Sequence, residues 1–277
     1  MNPIWCNGHW LDPLDFPATP MDRGSILGLG LFETMLALDG APVFADRHLA
    51  RLRAGCDRLG WHSPPADLED TMAELLVKSD LTSGRARVRL AMTAGSGPVD
   101  DISMGTSPLL WMIAMPVNEP PKEIQANFSP WPRNERSPLV GLKCASYAEN
   151  LVALDHARRQ GFEETIFLNT AGHLCEAATA NIFLMKNGVL LTPSLDSGCL
   201  PGITRAVVLE LAVRCRLNSE ERSLTPDDLL TADEVFLTSS IRGLESVSRI
   251  GDKLYHDISI AKRLRQYWNV EIECCPR

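Results

Sequence analysis

The chain has 277 residues, 45% of them hydrophobic and 22% charged, with a net charge of −8 at pH 7. That length and apolar share can fill one large core or two smaller ones, so a soluble globular enzyme is the default class. The acidic balance lacks any basic block, and no apolar run approaches the roughly 20 residues of a membrane span, so neither nucleic acid nor a membrane is an expected partner.

The opening MNPIWCNGHW lacks a basic region followed by a signal-type apolar stretch, and a cytoplasmic protein is expected. PIWCNGHWL reads as a strand pair, and LFETMLALDGAPVF as two strands around an Asp-Gly turn. In ADRHLARLRAGCDRLG, Leu49, Leu52, Cys56 and Leu59 recur at helical spacing, with Asp46 as the expected N-cap and Gly60 as the stop. DLEDTMAELLVKSD predicts a second helix; ARVRLAMTAG and PLLWMIAMP predict strands. NEPPKEIQANFSPWPRNERSP carries five prolines and few regular signals, which puts an interdomain linker at 116–123. Beyond it, SYAENLVALDHARRQG is helical to Gly161. ETIFLN, NIFLMK and VLLTP are strands, the last two joined by a turn at Asn187 and Gly188. PGITRAVVLELAVRC is a helix entered through Pro201 and Gly202, and Thr225 and Pro226 start a short helix in TPDDLL. EVFLTSS is a strand leading into a loop, and SRIGDKLY a hairpin. The expected fold class is α+β (mixed α/β), with a small N-terminal α/β domain at 1–115 and a larger C-terminal domain at 124–277 that carries Lys143.

Eight cysteines, among them Cys274 and Cys275, are scattered along a full-sized chain, a spacing that favours reduced thiols. No CxxC or HExxH is present, and no metal is expected. The chemistry centres on PLVGLKCASYAEN at 138–150. Of six lysines, Lys143 alone lies between an apolar run and small residues, a context that lowers an amine's pKa and suits Schiff-base formation. A lysine stem snorkelling along an apolar edge is the alternative that context leaves standing. In HLCEAATANIF, Glu176 precedes a run of small residues that would let a flat ring approach the backbone; on a pyridine nitrogen, such a carboxylate makes the ring an electron sink. LPGITR offers the N–H groups of Ile203 and Thr204 at a helix start, a phosphate-binding arrangement. Thr238, Ser239 and Ser240 add hydroxyls, and Arg51 lies one position from its helix's apolar stripe. Together these parts describe a site for pyridoxal 5'-phosphate.

The segments DRGSILGLGLFET (22–34), HLARL (48–52), LKCASYAEN, CEAATANIF, LPGITR and DEVFLTSS (233–240) occur in an order and spacing that resemble the fold-type IV pyridoxal-phosphate enzymes. This is the class-IV aminotransferase family, which includes branched-chain and D-amino-acid aminotransferases and aminodeoxychorismate lyases. The resemblance implies a two-domain architecture and a homodimer. It makes Lys143 the Schiff-base lysine and Glu176 the partner of the ring nitrogen. Arg51, Ile203, Thr204 and Ser240 become phosphate contacts, Leu200 the apolar residue on the ring, and Tyr147 and Ser239 further cofactor neighbours. Tyr147 is equally readable as helix core.

Substrate groups separate the reactions. Branched-chain members often carry an arginine where this chain has Leu36, and D-amino-acid members carry one where it has Ala94. Both absences weaken those specificities, because a buried carboxylate needs a cation. Thr34 matches a threonine that the lyases use near the reacting carbon, although a strand residue of good β-propensity is its plain reading. Against the lyases, Ser239 stands where they place an asparagine, and Ala94 where they place an arginine. The leading expectation is a 4-amino-4-deoxychorismate lyase, in which Lys143 removes a proton, pyruvate leaves and 4-aminobenzoate forms. The alternative is a transaminase acting on a D-amino acid, a branched-chain amino acid or an amine. Phe32, Thr34, Arg89 and Arg242 are the candidate contacts to this small amino substrate. Arg85, Arg87, Arg133 and Arg136 are weaker ones.

Overall fold

The fold is described from a computed structural model covering residues 2–274; Cys275 and the end of the expected C-terminal domain lie outside the described residues. The chain divides into two compact units. The first runs to Glu119 and takes in Leu142–Tyr147; the second comprises Pro120–Gly141 and Ala148–Cys274. Lys143 therefore belongs to the first unit, whereas a single cut in the proline-rich segment places it in the second.

The first unit contains strands β1 (Ile4–Cys6) and β2 (His9–Leu11), the short helix α1 (Arg23–Leu27), β3 (Gly30–Leu38), β4 (Ala41–Pro42), α2 (Ala45–Leu59), α3 (Leu68–Lys78), β5 (Arg85–Thr93) and β6 (Leu110–Pro116). Among the described residues its strands form one sheet in the order β2-β1-β6-β5-β3-β4. Asp39 and Gly40, both at positive φ, turn β3 into β4 as the Asp-Gly signal predicts. Alternation along β3, β5 and β6 sends Leu31, Met35, Val88, Leu90 and Met112 to one face. There they meet Leu49, Leu52 and Cys56 of α2 and Met72, Leu75 and Leu76 of α3, each large side chain contributing about 1.5–3 kcal/mol by burial. Asp46 is not the cap of α2. The chain enters that helix through Phe44 at a φ of 53° with no side-chain cap, so Asp46 falls in the first turn, where its charge still favours the helix dipole.

The second unit contains β7 (Glu123–Phe128), α4 (Ala148–Arg159), β8 (Glu164–Leu168), β9 (Leu174–Ala177), β10 (Asn181–Lys186), β11 (Val189–Pro193), α5 (Ile203–Arg214), β12 (Ser219–Arg222), α6 (Pro226–Leu230), β13 (Glu234–Ser239), β14 (Gly243–Ile250), β15 (Lys253–Leu254) and α7 (Ser259–Glu273). The sheet runs β12-β11-β10-β13-β14-β7-β8-β9, with β15 paired to β14. It is mixed: β14, β7 and β8 are parallel neighbours, while β10, β13 and β14 are antiparallel. Ile124, Ile166, Ile182, Leu184, Val235, Leu237 and Val247 are buried together in its core. Thr225 and Asp228 form a full capping box on α6. The proline-rich segment hides a real strand, β7, and the expected loop after β13 is a three-residue turn into β14. Among the described residues no helix is long and apolar enough to cross a membrane.

Candidate active site

In the first unit, Leu142–Tyr147 lies along the edge of β3. Phe32 N–H donates to the Lys143 carbonyl at 2.9 Å, and Ala145 N–H to the Gly30 carbonyl at 2.7 Å. Gly30 permits this approach: a Cβ there would lie 2.8 Å from the Met92 carbonyl oxygen and 3.3 Å from Ala145 Cβ. Lys143 thus starts beside Phe32. Its Nζ is 4.5 Å from the Phe32 ring centroid and 5.7 Å from that of Tyr147, and the two rings meet edge to face. Thr34 follows Phe32 on the same strand face and pairs across with Arg89 of β5. The Arg89 guanidinium carbon lies 3.6 Å from the Phe32 centroid, and Nη1 donates to Thr34 Oγ1 at 3.3 Å. Burial pulls the Arg89 pKa down, with Tyr147 pulling the other way. Among the described residues Arg89 has no carboxylate within salt-bridge distance. A half-buried guanidinium against the Phe32 ring is a favourable place for an anionic ligand.

The next residue on β3 faces the opposite way. Glu33, 1% exposed, accepts from Arg51 Nε at 2.8 Å and Nη2 at 2.6 Å, and its Oε2 is 2.7 Å from His48 Nδ1. Burial alone would raise the Glu33 pKa. The Arg51 charge and the hydrogen bonds from Arg51 and His48 overcome it and hold the carboxyl at about 2, while burial pushes His48 downward. Arg51 is thereby fixed by a residue that the sequence pattern did not single out.

In the second unit, Glu176 on β9 accepts from Leu200 N–H at 2.9 Å through Oε2, and its Oε1 is 3.8 Å from Arg133 Nη2. Arg133 also donates to Glu149 at 2.8 Å and to Asn150 Oδ1 at 3.3 Å, and it lies over the Phe167 ring. Its Nε and Nη2 are buried with no hydrogen-bond partner among the described residues. The α5 helix begins at Ile203 and Thr204 after Gly202, with no side-chain cap. A Cβ on Gly202 would fall 2.0 Å from Asn181 Oδ1, so only glycine fits. Thr204 Oγ1 and Thr238 Oγ1 are buried with no hydrogen-bond partner among the described residues.

A carboxylate held by a backbone N–H, an uncapped helix start and orphaned hydroxyls fit a pyridine ring with a phosphate: Glu176 suits the ring nitrogen, and Ile203, Thr204 and the helix N-terminus suit the phosphate. Ser240 lies in the turn between β13 and β14. Ser239 Oγ accepts from Arg242, whose guanidinium also reaches Glu164, Glu245 and Thr179. Those contacts hold Arg242 inside the second unit. The structure thus brings Phe32, Thr34, Arg89, Lys143 and Tyr147 together in the first unit and places Arg51 on the far face of β3. Of the weaker arginines, Arg85 pairs with Glu119 at 3.6 Å, Arg136 pairs with Glu135 at 3.6 Å, and Arg87 is exposed. The described cysteines are all free. Burial lifts the Cys199 thiol to about 11 and Cys175 higher still, which keeps these neighbours of Leu200 and Glu176 protonated.

The family pattern of amino-transferase class IV matches residues 30–250. The aminodeoxychorismate lyase of Bacillus subtilis is 29% identical over 91% of this chain and 88% of its own length. The branched-chain-amino-acid aminotransferase of Salmonella typhimurium is also 29% identical, over 89% of this chain and 84% of its own. The solved structure of the Escherichia coli branched-chain amino acid aminotransferase superposes with a TM-score of 0.88 at 25% identity, covering 98% of this chain and 94% of that one.

Proposed function

The chain belongs to the amino-transferase class IV family, and from that premise we propose that this pyridoxal-phosphate enzyme is a lyase that converts 4-amino-4-deoxychorismate to 4-aminobenzoate and pyruvate. The observation that carries the reading is the grouping of Lys143, Arg89 and Thr34 around Phe32. When bound, pyridoxal phosphate supplies an aldehyde that links to an amine and a ring that draws electrons from the adjacent carbon. Glu176 would keep the ring nitrogen protonated, and the uncapped start of α5 at Ile203 and Thr204 would hold the phosphate. Lys143 Nζ takes the proton from the amine-bearing carbon. Arg89, half-buried beside Phe32 with no carboxylate within salt-bridge distance among the described residues, binds a substrate carboxylate. Thr34 Oγ1 accepts from Arg89, so its own proton is left to give to the departing oxygen. The bond from the ring carbon to that oxygen breaks, its electron pair leaves with the enol, which becomes pyruvate, and the ring becomes aromatic. No oxidant or reductant is required.

Transamination is the second reading, favoured by the Salmonella relative at equal identity: Arg89 would bind the carboxylate of an amino acid, and Lys143 would return the proton to the cofactor. Incubating the purified enzyme with 4-amino-4-deoxychorismate and assaying pyruvate tests the proposal. The expected outcome is pyruvate release without the cofactor's aldehyde absorbance passing to the amine form. Conversion to the amine form by D- or L-amino acids, with no pyruvate from the chorismate derivative, overturns the lyase in favour of the transaminase. Lys143→Ala is expected to abolish the visible absorbance of the cofactor-loaded protein.

A further inference from the structure

Arg242 is aimed from three sides. Its Nη2 donates to Glu164 at 3.1 Å and to Thr179 Oγ1 at 2.8 Å, and the Thr179 hydroxyl donates to the same Glu164 oxygen. Its Nε lies 3.0 Å from Glu245. Thr179 sits in the turn that follows the Glu176 strand, and Ser239 ends β13, so one guanidinium ties the two turns together. Its backbone N–H and Nε both reach Ser239 Oγ at 3.4 Å. A hydroxyl has two acceptor positions and one donor. With both acceptor positions taken by N–H groups, Ser239 has only its proton left to offer.

We propose that Arg242 is a positioning residue, held by Glu164, Thr179 and Glu245, that makes Ser239 an obligate hydrogen-bond donor to an anionic oxygen of bound pyridoxal phosphate. This goes beyond a contact of Arg242 with substrate, and it rests on the cofactor assignment above. Two almost fully buried carboxylates against one guanidinium are a poor arrangement for stability alone. The surplus charge is eased at Glu245, whose carboxyl burial lifts to about 7 against the pull of Arg242. Its Oε1 has no hydrogen-bond partner among the described residues. A lysine has neither the planar fork nor the number of donors to hold this geometry.

The test is a double-mutant cycle read by titrating pyridoxal phosphate into cofactor-free protein. S239A and Arg242→Lys are each expected to weaken binding about tenfold, the loss of one hydrogen bond to a charged group. The double substitution is expected to be no weaker than S239A, because both remove the same contact. Additive losses, or unchanged affinity in Arg242→Lys, overturn the proposal. Thr179→Val provides a charge-neutral arm should Arg242→Lys misfold: the same non-additivity with S239A is expected, and additivity again overturns it. Wild-type protein that binds no pyridoxal phosphate overturns the cofactor assignment and this inference together. A wild type that binds while the cycle is additive overturns this inference alone.

Discussion

Thr204, at 2% exposure, carries a hydroxyl with no hydrogen-bond partner among the described residues. A buried hydroxyl in that state costs about 1–3 kcal/mol, so its presence points to a ligand. Thr204→Val, nearly isosteric, is expected to raise the stability of the cofactor-free protein by about 1 kcal/mol and to weaken pyridoxal phosphate binding about tenfold. Thermal unfolding and a cofactor titration check the two halves. A variant that loses both stability and affinity would place Thr204 in the framework instead. Arg89→Met is expected to raise KM for the carboxylate substrate by about 100-fold with a smaller change in kcat, as the loss of a charge-assisted contact dictates; steady-state kinetics would reveal the split. At this scale Lys143 and Glu176 stand out in the sequence because each lies among small or apolar residues. Glu33 does not, because only the pleat of β3 and the docking of α2 turn it away from Phe32 and Thr34 and towards His48 and Arg51.

Between elements, Glu33 fastens β3 to α2. Its folded pKa of about 2 lies below the ordinary 4.5, so its stabilisation is full above pH 4.5 and is lost as pH falls towards 2. His48, pushed below its ordinary 6.5, weakens the fold in the same acid direction. Glu33→Gln removes the buried carboxylate that Arg51 and His48 both contact and is expected to cost about 3 kcal/mol at pH 7, a deficit that shrinks below pH 4.5. Glu245 has the opposite sign. Raised from 4.5 to about 7, it makes the fold progressively less stable as pH rises between those values. Glu245→Gln is therefore expected to gain stability relative to the wild type as pH climbs from 5 to 7, by up to about 3 kcal/mol; urea unfolding at several pH values would check it, and a falling difference would refute it. The Asp-Gly and Asn-Gly turns and the cap of α6 were legible because local chemistry sets them. β7 was not, since its hydrogen bonds go to β14 and β8, distant in sequence, and prolines surround it.

For the whole molecule, the departure from the expected division is the return of Leu142–Tyr147 to the first unit. A cut in the proline-rich segment was readable from composition, but no local signal shows that a later segment pairs with the edge of β3. A chain ending at Glu119 leaves the Gly30–Phe32 edge unpaired, and such edges invite aggregation. Gel filtration of that fragment is expected to give aggregate; a soluble monomer would contradict the role assigned to the returning segment. The family resemblance leads us to expect a homodimer of the full chain, checked by light scattering. The same threading imposes an order on synthesis. A ribosome that has released the first 119 residues has made Phe32, Thr34 and Arg89 but neither Lys143 nor Tyr147, and the edge of β3 closes only after the chain has left for the second unit and come back. The reactive amine thus joins Phe32 and Arg89 only when the returning segment, Tyr147 included, docks along β3, and a shorter nascent chain carries no such grouping to capture stray aldehydes.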